Sequence, residues 1–267
     1  MKKMIIMGAS SGIGLHTAEA LLKRGMRLGL ASRHTETLRR LAAKYPGLVE
    51  YESIDVTHRD APHRLETLIE KLGGMDIYFH VSGIGKPNSG LDPNLEAEVI
   101  TTNAAGFVRM TSAAFDYFRR SGRKGQIAAV TSVAGTNGIG RLAAYSASKR
   151  CASTYLTALE QLAHEEGVEV AFTDIRPGWV RTPLLSKESR YPMEMTPEEV
   201  VPLVIKAIVR KKRVAVIDCR WALAAGLWKC IPDTLWVRLD IPTTISGDPF
   251  PEKETDPETP ETAAEKQ

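Results

Sequence analysis

The 267 residues are 43% hydrophobic and 25% charged, enough apolar material for one medium-sized core, yet no run of about 18 apolar residues occurs to cross a membrane. The formal charge of +3 hides an uneven spread: residues 248–267 hold seven acids against two lysines, net −5, which leaves +8 on residues 1–247. Cys151, Cys219 and Cys230 lack paired spacing, which excludes a disulfide framework and fits a reducing, cytoplasmic setting, and the scattered histidines form no metal-ligand pattern.

The first apolar run, 4–7, follows Lys2 and Lys3 but is cut short by Gly8-Ala9-Ser10-Ser11-Gly12, so residues 3–7 read as a strand rather than part of a signal peptide. Further strands are expected at 27–31, 49–54, 75–81, 126–131, 168–174 and 214–218. Amphipathic helices are expected between them, at 12–24, 35–44, 58–72, 94–120, 144–166 and 196–211. This alternation predicts an α/β fold over residues 1–218: a single domain, a doubly wound parallel sheet of about seven strands, and helices on both faces. Near-continuous Ile/Val/Ala/Phe runs suit strands covered on both sides. Residues 179–196, with Pro183 and Pro192, break the rhythm and read as a loop that closes over a cleft. Residues 219–247 form an apolar extension holding Trp221, Trp228 and Trp236. Residues 248–267 are Pro, Glu and Thr with little to bury, and disorder is expected.

Three motifs carry chemistry. Gly8, Ser10, Ser11, Gly12, Ile13 and Gly14 lie between the first strand and the first helix. Glycines there permit a tight turn and close approach to a pyrophosphate, and the helix points free N–H groups at that anion. At the end of the second strand, Ser32 stands where an NAD-type site places an acid, and Arg33-His34 follows. A guanidinium suits a 2′-phosphate, so NADP(H) is expected over NAD(H). Tyr145 and Lys149 are spaced i, i+4 on a predicted helix, which puts a cation about 6 Å from a phenol. A cation so placed favours phenolate, so the Tyr145 pKa is expected to fall below about 10 and suit a general acid/base.

With these motifs in this order, residues 3 to about 218 resemble the short-chain dehydrogenase/reductase family, in its simple single-domain form with a Gly-x3-Gly-x-Gly turn and Tyr-x3-Lys. The resemblance implies that Ser132, 13 residues before Tyr145, holds the substrate oxygen. It implies that the Asn103 backbone supports a water linked to Lys149, and that Lys149 binds the nicotinamide ribose. Asp55 and Val56 would contact adenine and Gly83 would flank its ribose. Pro177, Gly178, Val180 and Thr182 would line the nicotinamide. Two departures stand out: Met7 replaces a threonine, and His80-Val81-Ser82-Gly83 replaces Asn-Asn-Ala-Gly. His80 reads as a core histidine.

The implied activity is hydride transfer between NADP(H) and a small-molecule carbonyl or alcohol. Leu184 and Leu185 beside the cleft favour an apolar or lipid-like ketone. Two alternatives stay open. One is a 3-oxoacyl-thioester reductase, with Arg119, Arg120, Arg123 and Lys124 docking a carrier protein; the other is a nucleotide-sensing or membrane-docked binding protein with vestigial activity. A homodimer or homotetramer is implied by analogy. The basic, tryptophan-rich stretch 206–239 reads as a lid or dimer contact, or as peripheral membrane contact. Nucleic-acid binding is not expected, since no such module occurs.

Overall fold

The computed structural model describes residues 2–85, 88, 90–185, 189–241 and 243; the acidic stretch 248–267 lies outside them, as do residues 244–247 of the extension. Seven strands form one sheet: β1 (Lys3–Met7), β2 (Arg27–Ser32), β3 (Val49–Ser53), β4 (Ile77–His80), β5 (Gly125–Val130), β6 (Val170–Arg176) and β7 (Val214–Val216). Every pairing is parallel, and the order is β3-β2-β1-β4-β5-β6-β7. The chain reverses direction of travel between β1 and β4, so a crevice opens there beyond the strands' carboxyl ends.

The helices are α1 (Gly12–Leu22), α2 (Glu36–Lys44), α3 (Ala61–Leu72), α4 (Pro93–Ile100), α5 (Phe107–Ser121), α6 (Ala143–Glu165), α7 (Pro197–Val209), α8 (Cys219–Cys230) and α9 (Asp233–Trp236). The strand period of two splits the core into two layers. Met4 and Ile6 of β1 pack with Leu21 of α1, Leu38 of α2 and Val204 of α7. Ile5 and Met7 pack with Leu68 of α3, Phe115 of α5 and Leu156 of α6. The doubly wound reading therefore holds.

Two expected boundaries move for identifiable reasons. The strand expected at 75–81 shortens at both ends, because the Met75 N–H goes to the Tyr117 hydroxyl at 3.1 Å and the Val81 and Ser82 N–H groups both turn onto Met7 O at 2.8 and 2.9 Å. The single helix expected at 94–120 is broken by a π-helical turn, Thr101–Gly106. Such insertions often mark functional sites, and this one carries Asn103. Gly106 permits it: a Cβ there would lie 2.7 Å from Val56 Cγ2.

Gly14 belongs to packing rather than to the crevice wall. A Cβ at Gly14 would lie 2.0 Å from Gly8 O, against rigid backbone. Gly14→Ala is expected to lower stability by about 1–3 kcal/mol, read as a lower urea midpoint with an unchanged slope.

Candidate active site

The crevice is a cleft of about 670 Å³ that runs along the ends of β1, β2, β4, β5 and β6. At its outer end lies the glycine turn. Gly8 has φ +96° and a Cβ there would fall 2.6 Å from Ser82 N; Gly12 has φ +52° and faces the Thr182 side chain. Ser11 caps α1 by backbone alone, with no side-chain bond to the first-turn N–H groups, so these stay open beside Ser10, Ser11, Gly12 and Ile13 in the wall. A side chain at Gly8 would collide with the Ser82 backbone, so glycine lets the turn close against the loop after β4, and the open N–H groups suit an anion bound by backbone.

Next to it, Ser32 donates to His34 O at 2.5 Å and Ser53 donates to Arg33 O at 3.0 Å, which pins the turn that carries Arg33 and His34. Arg33 is exposed and lines the cleft with Ser32, His34, Asp55 and Val56. Asp55 Oδ1 accepts from the Thr57 N–H at 2.9 Å and the Thr57 hydroxyl at 2.7 Å. Burial pushes the Asp55 carboxyl up, but the Thr57 bonds and then the Arg33 charge outweigh it and hold the pKa below its usual value.

At the inner end, Ser132 follows β5 and accepts the Ala134 N–H at 3.1 Å, while its hydroxyl also contacts the Tyr145 phenol. Lys149, one turn along α6 from Tyr145, is buried and donates to Val130 O at 3.1 Å. Its ammonium sits 5.6 Å from the Tyr145 ring centroid, over the ring. That geometry corrects one expectation. Protein crowds the phenol and burial pushes its pKa up, with the Ser132 bond opposing. The lysine's hydrogen bond goes to the Val130 carbonyl rather than to the phenol. Burial instead lowers Lys149 to about 8, opposed by Asp174.

Asp174 was not legible as part of the site. It accepts from the Thr131 hydroxyl at 2.5 Å and from Arg176 Nε and Nη2 at 2.8 and 2.6 Å. The available signal was a charged pair at i, i+2 in a doubly covered strand, where charges need partners.

Asn103 is buried but does not line the cleft. Its side chain accepts from Ile84 N at 2.8 Å and donates to Ile84 O at 2.7 Å and to Ser148 Oγ at 3.3 Å; Ser148 in turn donates to Tyr145 O. It thus ties the loop after β4 to α6. Gly83 sits between, with a Cβ position 3.2 Å from Asn103 Oδ1 and 3.5 Å from Lys149 Nζ. His80 is a core residue: Nδ1 meets the Tyr78 hydroxyl at 2.9 Å and the ring packs edge-on to Phe107 at 4.9 Å. Burial and then Lys149 lower its pKa to about 3, so it stays neutral.

The other half of the cleft is apolar. Val133, Ala134, Ile139 and Leu142 face Trp179, Met193, Trp221, Trp228 and Ile241. Pro177, Gly178, Val180 and Thr182 lie between this half and the glycine turn. A Cβ at Gly178 would lie 2.1 Å from Trp221 Nε1, so Gly178 makes room for α8. The tryptophans turn inward: Trp221 donates to Met193 O at 3.2 Å, Trp236 donates to Gly138 O at 2.6 Å, and Trp228 packs edge-on between them at 6.1 and 5.5 Å. Across the mouth, Val180 bridges Met195, Arg181 pairs with Glu194 at 2.7 Å and Trp179 stacks on Tyr191 at 4.8 Å. Residues 186–188 of this loop lie outside the described residues. Leu184 reaches the Gly85 backbone, 3.2 Å from its Cβ position.

The basic cluster before β5 is neutralised. Arg119 pairs with Asp116 and Glu166, Arg120 with Glu66 and Asp116, Arg123 with Asp76, and Lys124 with Glu169.

The family model for short chain dehydrogenases matches residues 2–192. An uncharacterized oxidoreductase of Myxococcus xanthus is 32% identical over 240 residues, 87% of this chain and 93% of the relative. One of Listeria monocytogenes is 32% identical over 80% of this chain and 93% of its own. Among solved structures, a short chain dehydrogenase from Burkholderia cenocepacia in complex with NADP superposes with a TM-score of 0.76 at 20% identity, over 91% of this chain and all of its own. An alcohol dehydrogenase from Thermococcus sibiricus complexed with 5-hydroxy-NADP gives 0.69 at 26% identity, over 81% of this chain and 95% of its own.

Proposed function

The chain belongs to the short-chain dehydrogenase family, and we propose that it transfers hydride between NADP(H) and an apolar ketone or its alcohol. One observation carries the reading: the Ser132 hydroxyl, the Tyr145 phenol and the Lys149 ammonium gather in one cleft between a backbone anion cradle and an apolar, tryptophan-walled half.

When bound, NADP(H) supplies the hydride. Gly8, Ser10, Ser11, Gly12 and Ile13 hold the pyrophosphate, Arg33 with Ser32 and His34 the 2′-phosphate, and Asp55, Val56 and Gly83 the adenosine. Pro177, Gly178, Val180 and Thr182 hold the carboxamide side. Lys149 binds the ribose hydroxyls. Ser132 accepts the Ala134 N–H and turns its proton towards Pro177 O at 3.4 Å, a long bond that the substrate oxygen would replace. Tyr145 gives its proton to that oxygen in reduction and takes it back in oxidation. A phenol held above its ordinary pKa is fully protonated at neutral pH, which suits the reductive direction. Asn103 acts through structure, holding the Ile84 loop against α6. The extension from residue 219 serves as the substrate lid.

No charged side chain lines the substrate half among the described residues, which supports an uncharged, apolar carbonyl. The ion pairs of those four cations with carboxylates favour this reading over the carrier-protein alternative, since a docking partner would have to compete with them. A homodimer or homotetramer remains the family expectation.

The test is a panel of apolar, sugar and thioester carbonyls with NADPH oxidation followed at 340 nm; turnover confined to sugars or thioesters overturns the substrate reading. Arg33→Ala is expected to weaken NADPH binding by about 10- to 100-fold and leave NADH binding unchanged in fluorescence titration. Equal losses for both cofactors would refute the 2′-phosphate assignment.

A further inference from the structure

Helix α6 carries both Tyr145 and Lys149, yet it begins without a cap of its own. Leu142 precedes it with no side-chain bond to the first turn, and no acid stands in that turn. The first N–H groups of a helix find no partner within it. The one at Ala144, next to Tyr145, donates instead to Glu96 Oε2 of α4 at 2.9 Å. A carboxylate at this end of a helix meets the positive end of its dipole, and a bond to a charged acceptor is stronger than a neutral one.

Glu96 is itself held. Its Oε1 accepts from Asn88 Nδ2 at 3.1 Å. Asn88 is buried and bonds twice to Asp92 at the start of α4, donating to its carbonyl oxygen at 2.7 Å and accepting its N–H at 2.8 Å. Further along, in the π-helical turn, Asn103 grips α6 a second time, at Ser148. The two grips bracket Tyr145, and they differ in what depends on them. Lys149, beside Ser148, has a further fixed point in Val130 O. Tyr145 sits in the first turn, where the Glu96 bond is the cap. A displacement of about 1 Å at a reacting group can cost about 10²-fold in rate.

We propose that Glu96 is a positioning residue for the hydride transfer: it supplies the cap that α6 lacks, and so fixes where the Tyr145 phenol meets the substrate oxygen. Glu96 is not among the residues that line the cleft, so it acts through α6. The link to turnover rests on the function proposed above; the tether itself does not.

The test compares Glu96→Ala, which removes the acceptor, with Glu96→Gln, which keeps an oxygen for the Ala144 N–H. In the full chain, amide-resolved hydrogen exchange at Ala144 is expected to speed up at least about tenfold in Glu96→Ala. The Ile127 amide in β5 serves as the control and should not change. With NADPH and whichever carbonyl of the panel is reduced fastest, kcat per folded molecule should fall about 10- to 100-fold in Glu96→Ala. Most of that loss should be recovered in Glu96→Gln. The dissociation constant for NADPH should stay close to wild type in both, because Lys149 keeps its bond to Val130 O. Unchanged exchange at Ala144, unchanged kcat per folded molecule, or equal losses in the two variants would overturn the proposal. So would a parallel loss of NADPH affinity, which would mark a general loosening of the fold. A wild-type chain that reduces no carbonyl of the panel, with Ala144 still loosened in Glu96→Ala, would sink the proposed function and leave Glu96 as the cap of α6 alone.

Discussion

Tyr145→Phe is expected to lower kcat by about 10²- to 10⁴-fold and to leave the dissociation constant for NADPH nearly unchanged. The substitution removes one oxygen and keeps the ring. That ring packs beside Ala134, Ile139 and Leu142 and carries the Lys149 ammonium on its face. Lys149 therefore keeps its position, since its hydrogen bond goes to Val130 O rather than to the phenol. Ser132 also keeps its orientation, because the Ala134 N–H holds its oxygen independently of Tyr145. What is lost is the proton donor. A hydride delivered to a carbonyl carbon would leave an alkoxide with only the Ser132 hydroxyl beside it, and no acid of suitable strength in contact. Stopped-flow turnover at saturating NADPH reads the kcat, and quenching of tryptophan fluorescence reads the binding. Loss of NADPH affinity in parallel with kcat would show that the phenol binds rather than reacts.

What the sequence made legible divides along a physical line. The strands follow from short apolar runs such as Met4–Met7, which are local, and their burial on both faces shows as a run without alternation; the order β3-β2-β1-β4-β5-β6-β7 depends on how distant segments pair. The glycine turn was legible because its glycines stand together between a strand and a helix, and Gly8 and Gly12 do adopt positive φ there. Quantities set by the meeting of distant segments were not. The fate of Arg120 depends on Glu66, 54 positions away, so a cluster that looked like a docking patch is a row of ion pairs. Spacing on α6 placed Lys149 near Tyr145 correctly but said nothing of Val130 O, 19 positions upstream, to which its ammonium donates, nor of the burial that pushes the phenol's pKa up. The tryptophan-rich stretch read as a lid or dimer contact first and as a membrane contact second. Which of its side chains turn inward was not legible, because the Trp221 and Trp236 N–H groups reach Met193 O and Gly138 O, 28 and 98 positions away. The π-turn at Thr101–Gly106 had its only trace in Gly106, whose need for room beside Val56 depends on a segment 50 positions away.

Lys149→Met is expected to make the protein more stable and less active. The ammonium is buried, and its pKa falls from 10.5 in the unfolded chain to about 8 in the fold, with burial the main cause. Below pH 8 both states hold the proton and the fold bears the whole burial penalty, on the order of 3 kcal/mol. Between pH 8 and 10.5 the unfolded chain binds the proton that the folded chain has released, so wild-type stability rises with pH through that window. Methionine carries no such penalty, though it forfeits the hydrogen bond to Val130 O, a loss of about 1 kcal/mol. The net gain at pH 7 is therefore roughly 2 kcal/mol, seen as a rise in Tm of about 4–8 °C. The gain should shrink towards pH 10, where the wild-type lysine is largely neutral, and urea midpoints of both proteins at pH 7 and pH 10 read this directly. Turnover should fall at least about 10²-fold, because the proposed ribose contact is lost. A less stable methionine variant at pH 7 would mean that the Asp174–Arg176 pair, with Thr131, stabilises the ammonium more than burial penalises it. Asp174 does lie on the side that opposes burial, but two of its oxygens' bonds go to Arg176 and one to Thr131, so its charge reaches Lys149 already largely compensated. A more stable, less active methionine variant would tie Lys149 to chemistry in the cleft rather than to stability.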